Sequence, residues 1–300
     1  MTGPRNDIVE PGGPPLPLQQ HRGGSRLLGD RGFLISAAST IVFFGVLIAI
    51  FFIAPGSQVV REGFFNLHAM KTSFFGDPSN GIPAAWRGFL VNVEAFMIAE
   101  VLILILALVI AVIRQIPGPV MFPLRIVAIA YTDLFRGIPL LLVIFLFGFG
   151  FPALNMRGLS NQSVFVYGIA ALVLSYSAYV AEVYRAGIES VHPSQVAAAR
   201  SLGLSRWQAL RFVVIPQAVR RIIPPLLNDF VSLQKDTALL AVLGVVEAVR
   251  AAGIYSSFKF NFSSYVLVAV MFVLLTIPLA RFTDHLIDRD RRRRAAGGAL

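Results

Sequence analysis

Long apolar segments alternate with short polar ones along the chain after residue 32. The first, Phe33–Ile53, has 21 residues without a charged side chain, which is enough to cross the roughly 30 Å hydrocarbon layer of a membrane. Five further apolar segments meet the same length requirement. They cover about Phe89–Ile113, Ile126–Phe147, Val164–Tyr184, Ile222–Val246 and Phe262–Ala280. The pattern predicts an all-α, polytopic membrane protein with about six transmembrane helices.

The two ends of the chain have a different composition from the apolar segments. Residues 1–32 are rich in Pro, Gly and Arg and are predicted to form a disordered cytoplasmic tail, and residues 286–300 form a basic C-terminal tail. Residues 33–85 are predicted to hold an extra N-terminal helix and an external loop. A cleaved signal peptide is the alternative for Phe33–Ile53, but its apolar run is longer than the ~7–15 residues of a signal peptide core.

Composition agrees with a membrane protein, and charge gives the orientation. Hydrophobic residues make up 56% of the chain and charged residues 14%, with a mean hydropathy of +0.72. The net charge of +10 would also suit a nucleic-acid-binding protein. However, 18 of the 26 Lys and Arg residues fall in the tails and alternate loops of one side, against six on the other. Both termini of this multi-pass membrane protein are therefore predicted to be cytoplasmic. The Arg291–Arg294 run then favours contact with membrane lipid and not with nucleic acid.

The sequence offers no site for energy conversion, cofactor or metal. A phosphate-binding P-loop requires a lysine directly after a glycine, and none of Lys71, Lys235 and Lys259 follows one. Cysteine is absent, and the four histidines are too scattered to suggest a metal site. The chain is therefore not predicted to be an enzyme. If ATP powers it, the ATPase must be a separate chain.

A polar and basic segment, residues 193–216, interrupts the apolar pattern between the fourth and fifth spans. Pro193 favours a helix start, and Gly203 favours a helix end in the left-handed conformation. Ser205 and Gln208 have the spacing of a capping box for a second short helix, which Pro216 is predicted to close. Two short helices around a glycine, at the membrane surface, suit docking to a partner protein. An ordinary amphipathic loop is the alternative.

The same segment resembles the cytoplasmic loop of permease subunits in ATP-binding-cassette (ABC) importers, with the spacing EAA-x3-G-x9-I-x-L-P. Seven residues fall on that spacing: Ala197, Ala198, Ala199, Gly203, Val213, Ile215 and Pro216. Arg200 and Ser205 lie between them. Ala197 stands where the family has Glu, while Val213 and Ile215 stand where it has Ile and Leu.

Other segments resemble the polar-amino-acid branch of this family. They are LFRGIPLL at 134–141, WRGFLVNVE at 86–94, PQA at 216–218, PPLLN at 224–228 and KDTALL at 235–240. The resemblance covers residues 86–285 and implies a type I ABC importer permease fold, with a five-helix core, a coupling loop at 185–221 and here one added N-terminal helix. It also implies three kinds of partner: a cytoplasmic ABC ATPase dimer, an extracytoplasmic solute-binding protein, and a second permease copy or sister permease.

Charged residues inside the apolar spans suggest a substrate path. An ionised side chain at the centre of a span costs about 2.5–3.5 kcal/mol on insertion scales, so such residues tend to face protein or water. The candidates are Arg136, Asp133, Lys235, Asp236 and Glu94. Arg136 could bind a substrate carboxylate, with Asp133 as its resting partner. Structural ion pairs are the alternative, and are favoured for Glu100, Glu182 and Asp229.

These observations predict an ATP-driven importer of a polar amino acid, with glutamate, glutamine or aspartate preferred. An ion-coupled secondary amino-acid transporter is the alternative, because intramembrane carboxylates also serve proton relays.

Overall fold

The computed structural model describes residues 30–297, with side chains described for 32–289 and for Arg292. Most of the predicted disordered tail therefore lies outside the described residues. Over the described range the chain is helical apart from turns, short connections and one bridged pair, Asp77 and Ile82. The chain divides into two units, Met1–Gln58 and Val59–Leu300.

The first unit contains helix α1, Asp30–Ile53, and the remaining helices follow from Ser57 onward. The first three of these are α2 Ser57–Phe64, α3 Leu67–Phe75 and α4 Ala85–Gln115, and α4 is the second long apolar helix. The next group is α5 Phe122–Gly137, α6 Leu140–Phe145, α7 Phe151–Ala153 and α8 Val164–Glu189. The last group is α9 Pro193–Ser201, α10 Arg206–Ala209, α11 Ile215–Asp236, α12 Ala248–Lys259 and α13 Ser263–Gly297.

Four helices in the described chain are long and apolar enough to cross a membrane without a break. They are α1, α4, α8 and α13, and two bent pairs bring the number of spans to as many as six. The prediction of an all-α, polytopic protein with about six spans is confirmed.

The core of the second unit is formed where α4, α8 and α11 pack together. Along α4 the residues that face this core recur every fourth position, and most are small: Ala95, Ala99, Ile103, Ala107. Small residues at this spacing let helix backbones approach closely, which is how helices associate in a membrane. Helix α8 is the most enclosed of the spanning helices, with 61% of its most apolar window buried. Helix α8 packs against α4, α5, α6 and α11.

The predicted third span, Ile126–Phe147, is wrong as a single helix. The chain turns by 106° between α5 and α6. Ile138 has an extended backbone, φ −96° and ψ 131°, because the ring of Pro139 disfavours the helical conformation for the residue before it. Arg136 and Asp133 consequently lie in the last turn and a half of α5, next to a bend, and not in the middle of a straight span.

The region after α9 also differs from the prediction, because Pro216 does not close a short helix. Helix α10 continues through a π-helical turn, Leu210–Val214, into α11. The Ile215 N–H bonds to the carbonyl of Leu210, five residues earlier. The backbone hydrogen bonds have therefore already changed from the α-helical to the π-helical spacing before Pro216, which has no N–H to donate. The helical segment ends at Gly244, φ +88°, and α12, which the sequence did not predict, follows.

Candidate functional site

The segment between α8 and α11 forms the predicted pair of helices around Gly203. Pro193 is the first residue of α9, and Gly203 follows its end with φ +85°. The N–H groups of Gly203 and Leu204 bond to the carbonyls of Arg200 and Ala199, at 3.0 and 3.2 Å, which is the Schellman arrangement of a helix end. Ser205 and Gln208 form the capping box of α10. These local predictions are confirmed.

This segment exposes both apolar and basic side chains, which together we call the coupling surface. Its members are the exposed side chains Leu202, Trp207, Phe212, Arg200, Arg206 and Arg211. Leu202 is 82% exposed, Trp207 65% and Phe212 63%. Large exposed apolar side chains are characteristic of surfaces that contact another protein or the membrane. Arg side chains beside them suit the carboxylates of a partner.

The structure divides the residues of the family spacing between the surface and the interior. Ala197, Ala198, Ile215 and Pro216 are exposed, whereas Ala199 is buried and Val213 is half-buried. Ala209 and Val214 are also buried; they lie on α10 and the π-helical turn, which pack against each other and against α9. Since Ala197 is exposed, the family's Glu could be accommodated at this position.

Helix α8 presents a stripe of polar side chains to its neighbours. Tyr176, Tyr179, Glu182 and Arg185 follow one another at intervals of three residues, so each lies next to the following one along a line that winds around the helix. The sequence analysis did not select the two tyrosines, and it classed Glu182 as structural. The interval of three within an otherwise apolar helix was the signal that could have found this stripe.

Glu182 is the centre of a cluster of arginines from three helices. Its Oε2 accepts a hydrogen bond of 2.9 Å from Nη1 of Arg114 on α4, and its Oε1 accepts hydrogen bonds from Arg185. Nη1 of Arg136 on α5 lies 3.9 Å from Oε2, at the outer limit of an ion pair. In the described part of the chain no ion pair joins Asp133 to Arg136, so the expected pairing is wrong: the carboxylate within 4 Å of Arg136 comes from another helix.

The two tyrosines of the stripe connect α8 to two residues of the predicted substrate path, one on α11 and one on α5. The Tyr176 hydroxyl donates to Oδ2 of Asp236 at 2.6 Å, and the Tyr179 hydroxyl donates to the carbonyl of Arg136 at 3.1 Å. The guanidinium of Arg136 also lies 6.0 Å from the centre of the Tyr179 ring. Tyr179 and Tyr176, three positions apart on α8, thus contact Arg136 and Asp236 respectively.

The other charged residues of the spans include Lys235 and Glu94 of the predicted path, and Glu100 and Asp229, which were predicted to be structural. Glu100 on α4 and Asp229 on α11 are half-buried, and their carboxylates are close enough to interact electrostatically. Lys235 and Glu94 are exposed, and the structure brings neither into contact with Arg136. The described residues thus assemble a polar region between α4, α8 and α11 with Glu100, Asp229 and Asp236 as its acids.

Comparison with known protein families identifies the core of the chain. Residues 120–292 match the family described as "Binding-protein-dependent transport system inner membrane component". The chain is 37% identical over 203 residues to the probable glutamine ABC transporter permease protein GlnM of Bacillus subtilis, a match covering 67% of this chain and 91% of the relative. It is 39% identical over 163 residues to the nopaline transport system permease protein NocQ of Agrobacterium fabrum, covering 51% of this chain and 69% of the relative.

Solved structures agree. A crystal structure of an amino acid ABC transporter with histidines has a TM-score of 0.63 at 32% identity, and the match covers 68% of this chain and 93% of that one. The MetNI methionine ABC transporter shares the fold, with a TM-score of 0.57 at 16% identity over 72% of this chain and 99% of that one. The predicted type I permease fold and the resemblance to amino-acid ABC permeases are confirmed. The chain therefore belongs to the family of inner membrane components of binding-protein-dependent transport systems.

Proposed function

We propose that the chain is the permease subunit of an ATP-driven importer of a polar amino acid. It works with a cytoplasmic ABC ATPase dimer, an extracytoplasmic solute-binding protein, and a second permease that is either another copy or a sister chain. Both termini and the coupling surface face the cytoplasm of a bacterial cell, and ATP is hydrolysed by the partner chains and not by this one.

The observation that supports this proposal most strongly is the exposure of the coupling surface. Leu202, Trp207 and Phe212 are exposed. A partner that covered them would gain about 25 cal/mol of free energy for each Å² of apolar surface removed from water. A protein partner with a groove for these side chains and carboxylates for the arginines would cover the whole surface. An ATPase that supplies the energy missing from this chain fits that description.

The helices provide a direct mechanical connection from the coupling surface to the polar region. The helical segment that begins at Arg206 in the coupling surface runs through α11, which contains Asp229 and Asp236, and ends at Leu243. A displacement of α10 by the ATPase therefore moves both acids relative to Tyr176 on α8. ATP binding would draw the coupling surfaces of the two permeases together and open the path outward, and hydrolysis would return it.

Arg136 and the polar region together suit the two charges of a free amino acid. Arg136 would take the carboxylate, because its ion pair with Glu182 is long and its side chain is 40% exposed. Asp236, held by Tyr176, would take the ammonium. Glutamine is the substrate we favour, since several relatives are named glutamine permeases and an acidic side chain would meet three carboxylates. Glutamate and aspartate would then need Lys235 as a counter-charge and should be weaker substrates.

Co-purification tests the ATPase contact. Trp207→Asp places a charge within the coupling surface. We expect the amount of ATPase recovered with the permease to fall about tenfold, because a Trp buried by a partner commonly contributes most to the binding free energy of an interface. Phe260→Asp is the matched control: Phe260 is 90% exposed but lies at the end of α12, outside the coupling surface. Equal recovery with the two variants would contradict the proposal. Competition of radiolabelled glutamine uptake by glutamate, aspartate and arginine tests the substrate.

A further inference from the structure

Residues 62–84, which we call the cap, are fastened to the turn between α12 and α13. The N–H of Phe262 donates to the carbonyl of Gly63 at 2.8 Å, and the N–H of Asn66 donates to Oγ of Ser263 at 3.0 Å. The ring of Phe64 stacks on that of Phe262 with centroids 5.4 Å apart. The family motifs begin only at Trp86, so the cap lies outside them.

A pocket of about 390 Å³ lies between the cap and the start of α4. Phe75, Pro78 and Ile82 of the cap form one wall, and Arg87, Val91 and Val246 lie among the residues on the core side. A tight turn shapes the cap wall: Ser79 and Asn80 donate hydrogen bonds of 2.5 and 2.6 Å to the Asp77 carboxylate. These bonds lower the pKa of Asp77 and keep it ionised and engaged within the turn. The pocket is therefore a formed feature and not a gap between mobile chains.

Arg87 is the charged side chain that lines this pocket. It is exposed, its guanidinium lies 5.4 Å from the centre of the Trp86 ring, and within the described part of the chain no carboxylate forms an ion pair with it. A partner with an acidic side chain would be complementary to this guanidinium.

The far side of the pocket reaches a buried connection in the core. Val246 precedes Glu247, whose carboxylate accepts hydrogen bonds from the N–H groups of Val249 and Arg250 at the start of α12 and from the Asn92 amide. This connection lies where the chain bends by 47° between the segment that ends at Leu243 and α12. A group that enters the pocket therefore touches the cap, α4 and the bend at once.

We propose that this pocket receives an acidic side chain from a lobe of the extracytoplasmic solute-binding protein, with its carboxylate paired to Arg87. The inference rests on the proposed function, which places the cap outside the cell and makes transport dependent on a binding protein. It adds a specific point of contact, supplied in part by a segment outside the shared core. The contact conveys docking to the bend before α12 through Val246 and Glu247.

The test measures the affinity of the substrate-loaded binding protein for the complete transporter in nanodiscs, at 150 mM salt. We expect Arg87→Glu to weaken binding by about tenfold or more and Arg87→Gln to weaken it less, because reversal adds repulsion to the lost pair. Lys71→Glu is the matched control, since Lys71 lies on the cap but does not line the pocket; its effect should stay below about twofold where salt screens distant charges. Unchanged melting temperature and yield would show that Arg87→Glu folds.

Failure of this inference is distinguishable from failure of the proposed function. Wild-type affinity in Arg87→Glu, with wild-type uptake intact, would overturn the pocket as the docking site and leave the importer standing. Absence of any binding of the binding protein to the wild-type transporter would overturn both. In a charge-swap experiment, one surface Asp or Glu of the binding protein is changed to Lys and tested with the Arg87→Glu transporter. Recovery of affinity would identify the residue that pairs with Arg87.

Discussion

The side-chain amide of Asn92 donates a 3.0 Å hydrogen bond to the carboxylate of Glu247, 155 positions away, and both side chains are buried. The other end of the same amide accepts a bond of 3.1 Å from the N–H of Ala248. Asn92 thus satisfies two groups at the start of α12 at once. An acid buried in a membrane protein needs such partners, and removing one leaves a polar group uncompensated.

We therefore expect Asn92→Ala to destabilise the protein by about 1–3 kcal/mol. For a chain of this size that corresponds to a fall of several degrees in the unfolding temperature, about 5 °C. Glu94→Ala is the control, because Glu94 is exposed on the same helix and its removal should change the temperature little. Thermal unfolding of the purified protein in detergent measures both. An unfolding temperature that does not change in Asn92→Ala would show that the bond to Glu247 contributes nothing.

The same junction makes Gly88 sensitive to the smallest substitution. A Cβ at Gly88 would lie 2.6 Å from the carbonyl carbon of Glu247 and 2.7 Å from the nitrogen of Ala248, and backbone atoms cannot rotate away. We expect Gly88→Ala to cost about 1–3 kcal/mol by overpacking. Gly137→Ala provides the comparison, since nothing lies within 4 Å of its added Cβ. Equal unfolding temperatures for these two variants would contradict the close approach of α4 to α12.

Arg136 and Arg114 share the Glu182 carboxylate but should respond differently to truncation. Arg114 has a 13% exposed side chain and a 2.9 Å bond to Glu182, whereas Arg136 is 40% exposed and 3.9 Å away. We expect Arg136→Ala to lower uptake at least about tenfold with the yield of assembled complex unchanged, and Arg114→Ala to lower the yield itself. Reconstituted vesicles assayed for uptake and yield measure both effects. Normal uptake by Arg136→Ala would remove Arg136 from the substrate path.

Gly203 provides a test of the coupling surface that depends on backbone conformation alone. An added Cβ would meet nothing within 4 Å, so a substitution there acts through the φ of +85°. A β-branched residue is strained in that region and Asn tolerates it. We expect Gly203→Val to insert normally and to lose substrate-stimulated ATP hydrolysis, while Gly203→Asn retains most of it. Full stimulation in Gly203→Val would show that the angle between α9 and α10 does not matter for coupling.

Local chemistry made part of this structure predictable from the sequence. Pro193, Gly203 and the Ser205–Gln208 pair act on hydrogen bonds within a few residues, and each behaves as its spacing predicts. Hydropathy likewise found the unbroken spans. Pro216 misled because its effect depends on the π-helical turn before it, and the break at Ile138–Pro139 was hidden inside a continuous apolar run.

The partners of the charged residues depend on distant parts of the chain. Asp133 is three positions from Arg136 and looked like its partner, yet Glu182 on α8 provides the nearby carboxylate and Tyr179 the aromatic ring. In the same way Asp236 is held by Tyr176, 60 positions earlier. The packing of α5 and α11 against α8 determines these pairs, and periodicity alone gives no information about which helices become neighbours.

The measurement that tests the central claim most directly is the energy source for uptake. Proteoliposomes that contain the permease with its co-purified partners, and the binding protein outside, would be loaded with either ATP or a non-hydrolysable analogue. They would then be assayed for glutamine uptake with and without proton and sodium gradients. The account predicts uptake only with ATP inside, independent of either gradient and abolished by Trp207→Asp. Uptake driven by an ion gradient without ATP would contradict it and would identify an ion-coupled transporter instead.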